Sequence, residues 1–222
     1  MKKIIVALDE IQDRDEVIAF VKSVGSLFYA VKIHHLYDKF GPDIVRVLKE
    51  AGAERVWVDF KLCDISNTVK LRTLDITADI ISVHASGGIQ MMKEAVASGK
   101  EIYAVTVLTS LSSSEVKEIY NGEVEDVVFS LARMAKEAGV AGIVCSSGEI
   151  KMLRSYPEFK DLKIVVPGTR SVGVDMNDQK RVSTPEEALS DGADYLVIGR
   201  QITQADNPKE EARKFYEEIR KI

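Results

Sequence analysis

A (β/α)8 barrel, an α/β fold with a parallel eight-stranded core, is the architecture this sequence predicts. Three observations predict it. Eight short runs rich in Val and Ile recur along the 222 residues. Amphipathic, helix-patterned segments separate them. No Pro/Gly/Ser linker, low-complexity block or shift in composition divides the chain, and its length suits one barrel. A single domain over residues 1–222 is therefore expected.

The runs are Ile4–Leu8, Phe28–Ile33, Arg55–Phe60, Ile80–Val83, Ile102–Leu108, Ala141–Cys145, Lys163–Val166 and Tyr195–Ile198. Their length and β-branched content fit strands buried on both faces. Residues 13–23 set Val17, Ile18, Phe20 and Val21 among charges. Residues 125–138 carry Val127, Val128, Leu131, Ala132 and Met134, and residues 208–221 place Ala212, Phe215 and Ile219 on one face of a charged closing helix. A doubly wound open sheet would fit about six such units equally well.

With 45% hydrophobic residues the chain can bury a sizeable core. A formal net charge of −5 argues against a nucleic-acid or anionic-membrane partner, while leaving room for a local basic pocket for one phosphate. Cys63 and Cys145 are too few and too far apart for a disulfide framework or a zinc site, and read as reduced thiols. The apolar run after Met1-Lys2-Lys3 reaches only from Ile4 to Leu8 before Asp9, too short for a signal peptide. No stretch approaches the roughly 20 apolar residues of a membrane span. A cytoplasmic protein is expected.

In a parallel barrel, function sits at the C-terminal ends of the strands. Here nearly every run stops on polar residues: Asp9; Lys32; Asp59 and Lys61; His84; Thr109 and Ser110; Ser146 and Ser147; Pro167-Gly168-Thr169-Arg170; Gly199-Arg200. Strand ends meet solvent, so one such residue signifies little. Lys32, Asp59 and Lys61 together signify more. Asp59 and Lys61 lie two apart on a strand, so both side chains point the same way, into the barrel mouth. Charges placed there must be paired and hydrogen-bonded.

The segment Asp59-Phe60-Lys61-Leu62-Cys63-Asp64-Ile65-Ser66-Asn67-Thr68 has the pattern D-x-K-x-x-D-I-x-x-T. It resembles the orotidine 5′-monophosphate decarboxylases. Further pieces match in the family's order: Asp9, Lys32, V-H-A-x-G-G from Val83 to Gly88, L-T-S from Leu108 to Ser110, P-G-x-R at 167–170, D-Q-K-R at 178–181, T-P-E-E-A at 184–188 and V-I-G-R at 197–200. The resemblance runs over essentially the whole chain.

It implies decarboxylation of orotidine 5′-monophosphate to UMP, the last step of de novo pyrimidine nucleotide synthesis, with neither metal nor cofactor. Loss of CO2 from C6 leaves a carbanion in an sp2 orbital that the ring cannot delocalise. A fixed cation beside C6 stabilises that charge and then supplies the proton, and Lys61 fits both roles. The resemblance places Asp59 near the departing carboxylate. Lys32 and Asp64 complete an alternating charge network that keeps Lys61 protonated and aimed. It also implies a homodimer with shared active sites, into which Asp64, Ile65 and Thr68 reach from the partner subunit.

For the phosphate, the loops after the seventh and eighth strands are the expected site. Gly168 and Gly199 permit close backbone approach, Arg200 can make a bidentate contact, and by the family pattern Pro167, Arg170 and Gln179 join them. Residues 170–183 show no periodicity and read as a lid that closes on phosphate. Asp9, Lys32 and Thr68 are expected at the ribose, with Asp64 from the partner, and Thr109 or Ser112 at the pyrimidine edge. His84, beside Lys61, reads as a network residue rather than a general acid. His34 and His35 receive no role, Cys63 reads as a spacer, and Trp57, Met91 and Met92 read as packing.

Three rival functions are distinguishable. A 3-keto-L-gulonate 6-phosphate decarboxylase or hexulose-6-phosphate synthase shares D-x-K-x-x-D but uses a divalent metal and carries a glutamate near the end of strand two, where this chain has Lys32. A non-catalytic sensor of a phosphate ligand has no need of a lysine between two aspartates. A nicotinamide oxidoreductase needs a glycine-rich turn after strand one, where Asp9-Glu10 stands instead.

Overall fold

Val- and Ile-rich runs with no polar face can be buried on both sides only inside a helical shell, and they close here into a ring. A computed structural model describes residues 2–169 and 183–221. Its strands are β1 (Ile4–Ala7), β2 (Ala30–Ile33), β3 (Val56–Leu62), β4 (Ile80–His84), β5 (Glu101–Val105), β6 (Gly142–Val144), β7 (Lys163–Pro167) and β8 (Tyr195–Ile198). They pair in parallel in sequence order, and β8 returns to β1 through Ile5↔Val197. The eight expected runs are the eight strands of a closed barrel, so the open-sheet alternative falls.

The helices are α1 (Arg14–Val24), α2 (His35–Phe40), α3 (Asp43–Glu50), α4 (Ser66–Asp75), α5 (Ile89–Val96), α6 (Ser113–Tyr120), α7 (Val124–Ala138), α8 (Ile150–Ser155), α9 (Pro185–Ser190), α10 (Arg200–Thr203) and α11 (Pro208–Ile219). Local chemistry sets their starts. The Asp13 carboxylate accepts from the amides of Asp15 and Glu16 at the head of α1. Thr184 and Glu187 form a reciprocal capping box on α9, with Pro185 in its first turn. The T-P-E-E-A piece of the sequence is thus a helix start. Gly139 ends α7 in the left-handed conformation at φ 79°.

Alternation along each strand splits the apolar residues into two clusters. Ile4, Val6, Val31, Val58, Ile81 and Val83 point outward into the layer between barrel and helices, where Met91 and Met92 are also buried. Ile5, Ala7, Ala30, Trp57, Ile80, Tyr103, Val105, Val144, Val165, Tyr195 and Val197 fill the barrel interior. Trp57 and Tyr103 meet edge to face at 5.3 Å between ring centroids, as the packing role expected of Trp57 requires.

The N-terminal end of the barrel is sealed by polar groups. The Glu101 carboxylate accepts from Arg55 at 2.6 Å, Tyr103 at 2.6 Å and Lys163 at 2.8 Å. Burial alone would raise the Glu101 pKa, but the bonds from Lys163, Tyr103 and Arg55 outweigh it and hold the group below the usual carboxylate range. Tyr29 stacks on Tyr195 at 4.0 Å alongside. Replacing Glu101 by Leu strands two cations and a phenol. We expect about 2–4 kcal/mol of lost stability, read as a fall in Tm.

Two strand boundaries depart from expectation in ways that matter. The fifth strand ends at Val105 rather than at Leu108, so Leu108 and Thr109 belong to the loop over the mouth. The third runs on past Phe60 to Leu62, but not as a regular strand. Its register with β4 holds at Trp57↔Ile80 and Val58↔Ile81, then jumps to Leu62↔Val83. Residues 59–61 therefore face Ser82 alone, a bulge. Lys61 sits in it at φ 49°, so simple strand alternation is not what aims its side chain.

Candidate active site

At the C-terminal mouth the interior turns from apolar to charged. A cavity of about 400 Å³ opens there, floored by Trp57, Val105, Val144 and Val197. Its polar lining comes from Asp9, Glu10, Lys32, Asp59, Lys61, Thr109 and Arg200, and its rim from Pro167, Gly168 and Gly199. The sequence pointed to all of these except Glu10 and the floor.

Asp59 is the hub. It is 4% exposed, and its Oδ2 accepts from Lys61 Nζ at 2.7 Å while lying 3.1 Å from Lys32 Nζ. Lys32 Nζ also donates to Asp9 Oδ2 at 2.7 Å. Four charges of alternating sign thus run Asp9, Lys32, Asp59, Lys61. Burial would push the Asp59 carboxyl up, but Lys32 and Lys61 beside it, with hydrogen bonds from Lys61 and Ser82, hold it well below the usual carboxylate range. Burial would likewise push the Lys32 ammonium down, but the charges of Asp59 and Asp9 outweigh it and the net shift is upward. Both groups are locked in their charged forms near neutral pH.

Lys61 differs from Lys32 in its exposure. Both line the cavity, but the Lys32 side chain is 8% exposed between Asp9 and Asp59, and that of Lys61 is 35% exposed. One lysine completes the scaffold, and the other is presented to a ligand. The imidazole of His84 is held below its ordinary pKa by burial and by the charge of Lys61, only partly offset by Asp59. That shift favours the uncharged imidazole beside Lys61.

Asp64 departs from the cluster. It is exposed, and its Oδ1 accepts from the amide of Ile65 at 2.7 Å, while the ion pair of Lys61 is with Asp59. Ile65 is 72% exposed, and neither it nor Thr68 lines the cavity. Of the two residues proposed for the pyrimidine edge, Thr109 lines the cavity. Ser112 does not: it caps α6 in a reciprocal box with Glu115. Gly168 takes φ 78°, where a side chain would be strained. Arg170, Gln179 and, apart from Ser183, the expected lid over 170–183 lie outside the described residues.

The residue missed in the sequence is Ser82. It is fully buried, donates to Asp59 Oδ1 at 2.6 Å and accepts from the Lys61 amide at 3.0 Å. Strand parity with Ile80 and His84 was the available signal that it faces inward. Among the described residues, no group of three or more His, Cys, Asp or Glu side chains is gathered as a metal site.

The sequence matches the family described as Orotidine 5′-phosphate decarboxylase / HUMPS over residues 2–215. The chain belongs to this family. An orotidine 5′-phosphate decarboxylase of Syntrophomonas wolfei is 40% identical to this family member, with 98% of each chain covered. One from Pseudoalteromonas translucida is 42% identical over 93% of this chain and 92% of its own. Among solved structures, orotidine 5′-phosphate decarboxylase from Lactobacillus acidophilus superposes with a TM-score of 0.81 at 29% identity and 99% coverage of both chains. The enzyme from Methanocaldococcus jannaschii, solved with the inhibitor BMP, superposes with a TM-score of 0.79 at 28% identity, covering 99% of each chain.

Proposed function

We propose that this protein decarboxylates orotidine 5′-monophosphate to UMP and CO2 without metal or cofactor, with Lys61 as the group that stabilises and protonates C6. The observation that carries the reading is the Lys61 ammonium held at 2.7 Å from the buried Asp59 carboxylate while facing an open cavity. The C6–carboxylate bond breaks, its electron pair stays on C6, CO2 departs, and a proton from Lys61 Nζ completes UMP. A cation fixed before the reaction begins spends no reorganisation energy when the charge develops. Asp59 and Lys32 hold that cation in place.

The charge pairing also supports a metal-free route. Lys32 lies near the end of β2 and pairs with Oδ2 of both Asp9 and Asp59, so those oxygens are engaged by an ammonium group rather than open to a divalent cation. Asp9 Oδ1 is buried and has no hydrogen-bond partner among the described residues, so it is placed to accept from a ribose hydroxyl. Thr109 faces the same cavity from the β5 loop and serves the pyrimidine edge.

Pro167, Gly168, Gly199 and Arg200 form one side of the rim and receive the phosphate, with Arg170 and Gln179 as further ligands by family pattern. Arg200→Ala is expected to lower kcat/KM for orotidine 5′-monophosphate by about 10–100-fold or more. Steady-state kinetics check this, and wild-type efficiency in the variant would remove the phosphate from that rim.

The active form is a homodimer in this reading. Asp64, Ile65 and Thr68 do not line the cavity of their own chain, and Ile65, Leu71 and Leu74 are more than half exposed on and beside α4. That surface is apolar enough to be covered by a second copy, which would deliver Asp64 to the partner's Lys61. Sedimentation should give twice the monomer mass, and Leu71→Glu with Leu74→Glu should give monomers with little activity. Neither Cys63, which is exposed, nor the buried Cys145 is in a disulfide, which suits a reducing cytoplasm; no helix among the described residues is long and apolar enough to cross a membrane.

A further inference from the structure

We infer that Ser82 is a positioning residue: one buried hydroxyl that sets both the backbone of Lys61 and the rotamer of Asp59. The inference rests on the decarboxylase reading for its kinetic consequence and on geometry for the rest.

The bulge creates the need. Between the pairs Val58↔Ile81 and Leu62↔Val83, three residues of β3 face one residue of β4. The Lys61 amide falls in this gap, and the Lys61 backbone is held at φ 49°, a conformation that costs a residue with a Cβ free energy and persists only where its surroundings fix it. Ser82 Oγ accepts from that amide at 3.0 Å. An ordinary strand would have used a main-chain carbonyl there. A side-chain acceptor can meet the displaced amide where the ladder cannot.

The same oxygen then spends its only proton on Asp59 Oδ1 at 2.6 Å. Oδ2 of that carboxylate is taken by Lys61 Nζ and lies beside Lys32 Nζ. Ser82 thus fixes which carboxylate oxygen faces the lysines. It holds Lys61 from two sides, directly through the amide and indirectly through Asp59. It does not line the cavity and is fully buried, so it acts through other residues rather than on the substrate.

The test compares Ser82→Ala, Ser82→Cys and, as a control, Thr106→Val. Thr106 is also fully buried, and its hydroxyl donates only to the Val144 carbonyl, at 3.0 Å. In Ser82→Ala we expect kcat about 10–100-fold lower with KM within about twofold, because a small misplacement of Nζ acts on the transition state more than on binding. Ser82→Cys, which keeps the volume with a weaker donor, should fall between, and it supplies the answer if the alanine variant does not fold. Thr106→Val should lose stability with kcat within about twofold of wild type. Amide exchange in 15N-lysine-labelled protein should show the Lys61 amide losing protection in both Ser82 variants. Wild-type kcat in both, or a kcat loss in Thr106→Val as large as in Ser82→Ala, would overturn the inference, and so would an unchanged Lys61 amide. If the wild type fails to turn over orotidine 5′-monophosphate, the decarboxylase reading falls, and amide exchange alone decides: lost protection upholds the positioning role, and retained protection overturns it.

Discussion

Replacing Lys61 by alanine is expected to lower kcat for orotidine 5′-monophosphate by at least about 10⁴-fold, while the protein remains folded. Two effects leave with one group. A preorganised cation opposite the developing charge is worth roughly 10²–10³-fold in comparable sites. A positioned proton donor adds about 10²–10⁴-fold. Stability should change little by comparison, because the Lys61 side chain is 35% exposed and Asp59 keeps Lys32 and Ser82 when it is gone. Single-turnover kinetics check the first statement and thermal unfolding the second. A variant that keeps a tenth of the wild-type rate would move the proton donor elsewhere in the cavity.

Replacing Asp59 by alanine should do more damage to the fold. Lys32 would keep only Asp9, and two ammonium groups would face each other across the vacated site. Removing one partner of a buried pair costs about 3–5 kcal/mol, because an uncompensated charge stays buried. Asp59→Asn preserves shape and isolates the charge. Its pH dependence has a definite sign. The Asp59 carboxyl is held below its ordinary range when folded, so its contribution is fully present above about pH 4, the unfolded value, and is lost as pH falls towards the folded one. The Asn variant should therefore be less stable than wild type at pH 7, with the difference shrinking below pH 4 in urea unfolding. A constant difference from pH 7 to pH 2 would mean that the charge of Asp59 does not stabilise the fold. Activity should fall with either variant, since Lys61 loses the group that aims it.

Much of this site was legible because the barrel ties chemistry to strand ends. Once eight runs are seen, the polar residues at or just past the end of each are candidates, and Asp9, Lys32, Thr109, Gly168 and Arg200 follow from that rule together with the family resemblance. Strand parity, which sorts Trp57 and Tyr103 inside from Val58 and Ile81 outside, was available in the same runs but was not used. The bulge was not legible. Asp59 and Lys61 share a face in a regular strand as well, so the correct orientation came out of a geometry the chain does not adopt. Nothing in Asp59-Phe60-Lys61 announces a left-handed lysine, and without it the amide that Ser82 serves is invisible. The β5 boundary failed for a related reason: Val107 and Leu108 continue the apolar run, but the chain leaves the ladder after Val105, and Leu108 and Thr109 become cavity wall. Ser112 was a candidate as part of the loop after the fifth strand, and local capping of α6 took it. Asp64, Ile65 and Thr68 do not line the cavity of their own chain, and the proposed role of each rests on a second copy, which periodicity within one chain does not describe.

The most direct test of the central claim is the absorbance change of orotidine 5′-monophosphate with the purified wild-type protein in excess EDTA. The account predicts rapid, complete conversion to UMP at a rate the chelator does not alter. No turnover, or turnover that appears only with added magnesium on a sugar phosphate, would contradict it and place the protein with metal-dependent members of its family.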